Sequence, residues 1–215
     1  MSLTLYFHPL ASYCWKVLLA LYEAETPFRA HQVDLANAEE RAALERMWPV
    51  AKFPVLRDAA RDAVVPESTI IVEYLALHYP GKAELLPADP ELARETRLRD
   101  RFYDLYVHEP MQRIVGDRLR PADRRDPLGV EQAHAMLELS YRMIEDDKNT
   151  DEWARARAFT LADCAAAPAL YYANKVHPFG AQHPRVARYL DRLLARPSFK
   201  RVLVEAEPYF ANFPG

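Results

Sequence analysis

Glycine and cysteine are scarce in this chain, at 5 and 2 of 215 residues. So few glycines leave no Gly-rich loop of the kind that cradles phosphate, and no nucleotide-binding motif is present. Cys14 and Cys164 lie far apart, giving neither a disulfide framework nor a Cys-x-x-Cys redox pair. Charge of one sign is lacking too. A formal net charge of -3 does not carry the basic footprint of an obligatory nucleic-acid or anionic-membrane partner. The densest basic stretch, Arg113 to Arg125, is interrupted by Asp117, Pro121 and Asp123 and reads as solvated helix and loop. The histidines are scattered without ligand spacing, so no metal site is expected. No window reaches membrane-spanning length and the N-terminus has no basic n-region, which predicts a soluble, cytoplasmic protein.

What the chain does have is 50% apolar content, ample for a buried core, and 17 prolines, which predict helices with sharp stops. Leu3, Leu5 and Phe7 alternate as in a strand closed by Pro9. Cys14, Val17, Leu18 and Leu21 form one stripe of a helix that ends at Thr26-Pro27. A second strand over Phe28 to Val33 and a helix over Ala38 to Met47 follow. Val55-Leu56 and Ala63-Val64-Val65 form a hairpin, and a helix over about Ser68 to Tyr79 completes a β-α-β-β-β-α unit. A proline-punctuated linker then leads to helix throughout. One long helix spans about Glu91 to Leu119 with a bend at Pro110. Thr160 and Asp163 stand at capping-box spacing before an alanine-rich helix containing Pro168. The fold class is therefore an α/β domain, residues 1–80, followed by an all-α domain, residues 88–215.

Two segments carry chemistry. In Lys52-Phe53-Pro54-Val55-Leu56, a proline stands at the first position of a strand, where its missing donor is harmless. A cis Phe53-Pro54 bond would turn the Phe53 backbone outward to pair with an extended peptide. In Pro66-Glu67-Ser68-Thr69-Ile70, an acid and a hydroxyl open a helix whose free N–H groups and dipole favour a carboxylate. Ser68 adds a hydroxyl to that carboxylate and Glu67 suits an ammonium. The ligand so described has an ammonium, a carboxylate and a peptide backbone.

Taken with Ser12-Tyr13-Cys14-Trp15-Lys16-Val17 and the Thr160 to Asp163 box, these segments resemble the cytosolic glutathione transferases over nearly the whole chain. The stretch through Trp15-Lys16-Val17 is most similar to the zeta class. The resemblance implies a thioredoxin-like first domain, glutathione as co-substrate held by Lys52, Phe53, Pro54, Glu67 and Ser68, and addition of its thiol to a small hydrophobic electrophile. It also implies a homodimer. An electrophile pocket between the domains is expected from Leu10, Phe102, Tyr103, Tyr106, Met111 and Arg113, with the tail aromatics Tyr209, Phe210 and Phe213 over it. A glutathione-dependent isomerase or dehalogenase, a disulfide oxidoreductase and a non-catalytic transferase-like binding module stay open as alternatives.

Catalysis requires a lowered thiol pKa. A free thiol titrates near ~8.5, and one hydrogen bond to the thiolate, about 1.5–3 kcal/mol, lowers that by one or two units. Aligned on the zeta-like motif, the position that carries the activating residue holds Ala11, which cannot donate. Ser12 is the best remaining hydroxyl, with Tyr13 as the weaker candidate. Tyr6 reads as packing, and Cys14 lies on the core stripe of its helix and reads as an inert buried thiol.

Overall fold

The alternation of Leu3, Leu5 and Phe7 becomes β1 (Leu3–Phe7), with Leu3 and Leu5 fully buried, in a computed structural model that describes residues 2–147, 152–155 and 157–214. β2 (Arg29–Gln32) lies parallel to β1 on one side, and β3 (Val55–Asp58) lies antiparallel to it on the other. β4 (Ala63–Pro66) closes the hairpin, so the sheet order is β2-β1-β3-β4. The register sets Leu5 opposite both Ala30 and Leu56. Pro66 ends β4 paired to Val55, at an edge where a missing donor costs nothing.

α1 (Ser12–Glu23) follows β1, α2 (Ala38–Met47) follows β2, and α3 (Ser68–His78) follows β4. α1 is buried on every side, because it packs on α3 within its own domain and on two helices of the second domain. Trp15 shows the consequence. Its ring contacts Tyr171, Tyr172, Phe199 and Phe210 of the helical domain, and its indole N–H donates to the Pro9 carbonyl at 2.5 Å. The linker is held at both ends: Lys82 N–H donates to the Ala24 carbonyl, and the Leu85 carbonyl accepts from Leu161 N–H. Gly81 lies so close to Ala24 that a Cβ there would fall 2.0 Å from its carbonyl oxygen, which only glycine tolerates.

The helical domain comprises α4 (Pro90–Phe102), α5 (Glu109–Arg118), α6 (Pro127–Asp146), α7 (Leu161–Val176), α8 (Pro184–Ala195) and α9 (Pro197–Ala206). The Thr160–Asp163 capping box is formed at the start of α7. Asp163 also accepts from the Ala154 N–H and the Tyr189 hydroxyl, a full set of structural duties for that carboxylate.

The long helix expected over Glu91 to Leu119 is interrupted. Residues Tyr103–His108 form a six-residue π-helix between α4 and α5. Proline at 110 supplies no N–H to the carbonyl one turn back, and the Tyr106 carbonyl is taken instead by the Ser140 hydroxyl at 2.7 Å. The wider π-turn rotates the faces that follow it relative to an unbroken helix. Among the described residues no helix is long and apolar enough to cross a membrane.

Candidate active site

A groove of about 530 Å³ runs between the two segments singled out in the sequence. Lys52, Phe53 and Pro54 form one wall, and Glu67, Ser68 and Thr69 form the other. The Phe53-Pro54 peptide is cis. Glu67 sits at φ 69°, in the left-handed region that costs a non-glycine residue about 1–3 kcal/mol. Glu67 is exposed at the groove, and Ser68 beside it is buried. No side chain caps α3 and no acid lies in its first turn, so its N-terminal dipole is uncompensated from within.

The floor of the groove is a polar seam between domains that the sequence reading missed. Lys16 is 1% exposed and pairs with Asp100 and Asp104, at 2.8 Å to the latter. Its ammonium also donates to the Thr69 hydroxyl at 2.8 Å, which in turn donates to Asp100 at 2.9 Å. Arg101 closes the cluster against both aspartates. Burial raises the Asp104 pKa, against the pull of Lys16. The network ties the residue next to Ser68 to both α1 and α4. Its signal in the sequence was available: Asp100, Asp104, His108 and Gln112 recur every four residues, opposite Ser12 and Lys16, which are four apart on α1.

The second half of that stripe meets Ser12. The Ser12 hydroxyl and His108 Nε2 are hydrogen-bonded, and both side chains are 2% exposed. The Gln112 amide nitrogen lies 3.4 Å from Ser12 Oγ and 3.3 Å from His108 Nε2. Burial, then the nearby Lys16 charge, pushes the His108 pKa down to about 3, so its imidazole is neutral at any working pH. Ala11 offers α1 no cap.

Ser12 opens on a smaller cavity of about 200 Å³ between the loop before α1, α5 and the C-terminal tail. Leu10, Met111, Val115 and Tyr172 give it apolar walls, and Phe213 of the tail closes it, its ring 5.2 Å from that of Tyr172. Gln112 and Asn212 supply amides, and among the described residues no charged side chain lines it. Of the residues expected around the electrophile, Leu10 and Met111 are here. Phe102 and Tyr103 are instead buried in the helical packing, and Tyr106 and Arg113 face solvent. The π-helix is the reason, since it re-aims the faces of this segment.

Tyr13 lines the groove, but its hydroxyl donates to Glu109 at 3.3 Å, and burial with Asp104 and Glu109 pushes its pKa up. It supplies neither a free donor nor a phenolate. Tyr6 lies against His31 and the small cluster of Val33, Leu44 and Val55, a packing position. Cys14 is 0% exposed and burial pushes its pKa up to about 12, which removes the thiolate a redox role needs. Among the described residues no group of metal-ligating side chains is assembled.

The chain is similar to known proteins. Residues 5–83 match the family of the glutathione S-transferase N-terminal domain, and residues 130–192 match that of the glutathione S-transferase C-terminal domain. The chain is 25% identical over 193 residues to glutathione S-transferase GstB of Escherichia coli, covering 88% of this chain and 91% of that one. It is 31% identical over 222 residues to a stringent starvation protein A homolog of Coxiella burnetii, covering 99% and 97%. A solved glutathione S-transferase from Methylobacillus flagellatus with glutathione bound superimposes with a TM-score of 0.85 at 26% identity, covering 94% of this chain and 98% of that one.

Proposed function

Because the chain belongs to the glutathione S-transferase family, we propose that it binds glutathione in the groove and adds the glutathione thiol to a small uncharged electrophile. The observation that carries this is the start of α3, where Glu67 in a left-handed conformation and buried Ser68 face Lys52-Phe53-Pro54 across a groove of glutathione size. The γ-glutamyl carboxylate takes the uncapped N-terminus of α3 and the Ser68 hydroxyl, and its ammonium takes Glu67. The peptide backbone pairs with Phe53. The thiol then reaches the start of α1, loses its proton to water, and is held as thiolate by the helix N-terminus and the Ser12 hydroxyl. Sulfur and electrophile meet in the 200 Å³ cavity, whose lining among the described residues carries no charged side chain and so suits a small neutral compound.

Ile70 and Leu105 are exposed apolar residues bordering the same groove, and we propose that a second copy of the chain covers them in a homodimer. The buried Cys14 argues against a disulfide oxidoreductase.

Calorimetry with glutathione tests the reading. Wild type should bind, and Ser68→Ala should bind about tenfold more weakly, the worth of one charge-assisted hydrogen bond of ~1.5 kcal/mol. No binding to wild type at millimolar glutathione refutes it. Binding without turnover across a panel of neutral electrophiles leaves the chain a glutathione-binding module.

A further inference from the structure

We propose that the Asn212 amide is a catalytic group of the cavity: it donates to the carbonyl oxygen of an α,β-unsaturated carbonyl compound while the glutathione sulfur adds to the carbon–carbon double bond. The inference rests on the glutathione-transferase reading and names the electrophile within it.

Among the described residues, four side chains bring oxygen or nitrogen to the cavity: Ser12, Gln112, Tyr172 and Asn212. Three are engaged within the protein. Ser12 and Gln112 form one hydrogen-bonded set with His108 at the start of α1, the end where the sulfur arrives. The Tyr172 hydroxyl donates to the Leu10 carbonyl at 3.0 Å. The Asn212 side chain has no hydrogen-bond partner among the described residues, so its two N–H donors are left for what enters the cavity. The chain that carries it is held in place. On one side the Tyr209 hydroxyl donates to Gln32 at 2.8 Å; on the other the Phe213 ring packs on Tyr172 and Arg118 donates to the Pro214 carbonyl at 3.2 Å. A donor set in position beforehand needs little reorganisation when charge develops beside it.

The kind of electrophile follows from what an amide can do. It stabilises a negative oxygen by hydrogen bonding, but it is far too weak an acid to surrender its proton. Opening an epoxide leaves a basic alkoxide that needs an acid, and the Tyr172 phenol is taken by Leu10 while burial pushes its pKa up. Displacing a halide expels an anion among apolar walls, with no cationic side chain among the described lining residues. Conjugate addition has neither need. The thiolate sulfur bonds to the β-carbon, the π pair of the double bond shifts toward the carbonyl carbon, and the C=O pair moves onto oxygen. The enolate so formed takes a proton from water at its α-carbon, which replaces the proton the thiol lost, and nothing leaves. Negative charge gathers on one oxygen in the transition state, and a neutral donor beside Leu10, Met111, Val115 and Phe213 stabilises that state more than the substrate.

The experiment compares wild type with Asn212→Leu and Asn212→Asp on two neutral electrophiles of similar size, cyclohexenone and benzyl chloride. It reads kcat and KM for each above the uncatalysed rate, and glutathione affinity by calorimetry. Asn212 is exposed, so neither substitution disturbs the core. Asn212→Leu keeps the volume and removes the donor: kcat with cyclohexenone should fall about tenfold, kcat with benzyl chloride should stay within about threefold, and glutathione affinity should not change. Asn212→Asp, which sets an anion beside the enolate, should lower the cyclohexenone kcat further. Equal losses on both electrophiles would make Asn212 a shaper of the cavity and overturn the inference, as would an unchanged cyclohexenone kcat. A raised KM for cyclohexenone at constant kcat also overturns it, since the amide would then hold the substrate and not the transition state. Wild type that converts benzyl chloride but not cyclohexenone overturns the inference and leaves the transferase reading standing. Wild type that binds no glutathione, or converts neither compound, overturns both.

Discussion

Lys16→Met offers a demanding test of how the domain seam is built. Methionine keeps the length and apolar stem of lysine, so little packing is lost. The charge is another matter. Asp100 is 0% exposed and Asp104 nearly so, and the substitution leaves both to Arg101, whose side chain is half exposed. Removing one partner of a buried ion pair costs about 3–5 kcal/mol, because the remaining charge stays desolvated. Arg101 offsets part of this, which places the expected loss near the lower figure, ~3 kcal/mol. For a chain of this length each kcal/mol moves Tm by about 2–4 °C, so a fall of about 6–12 °C is expected. The loss should depend on pH with a definite sign. Burial already raises the folded pKa of Asp104 above its ordinary 3.8. A carboxyl raised in this way stabilises the fold at low pH, and the contribution is lost as pH rises through the folded value. Without Lys16 the folded pKa rises further, so the deficit is largest at neutral pH and shrinks as pH falls through the variant's folded pKa toward that of wild type. Thermal unfolding followed by circular dichroism at about pH 7.5 and at about pH 5 measures both quantities, and adding Asp104→Asn should recover much of the loss. A deficit below about 1 kcal/mol, or one indifferent to pH, would show that the network does not hold the domains as argued.

Ser140→Ala should destabilise by about 0.5–1.5 kcal/mol in urea, because it strips the Tyr106 carbonyl of the partner that replaces the missing Pro110 N–H. A loss near zero would mean that water or a relaxed turn satisfies that carbonyl instead. Light scattering at micromolar concentration should give twice the protomer mass, and a protomer mass there would refute the proposed homodimer.

The chain's local patterns were enough for most of its elements and for the two segments that wall the groove. Strand alternation at Leu3, Leu5 and Phe7, the stripe of α1, the strand-opening Pro54, the Glu67-Ser68 helix start and the Thr160–Asp163 box all involve residues within a few positions of one another, where propensity and capping chemistry act directly. Which groups meet across the domain seam is a different kind of fact. Ser12 joining His108, Lys16 joining Asp100 and Asp104, and the replacement of Phe102, Tyr103, Tyr106 and Arg113 by Tyr172 and the tail around the cavity depend on how α1 seats against α4, α5 and α7. A four-residue polar periodicity marked that stripe without naming its partners. The face it presents was decided by the π-helix at Tyr103–His108, a consequence of Pro110 being answered by Ser140 from a different helix, and no pattern within the segment itself contains that information.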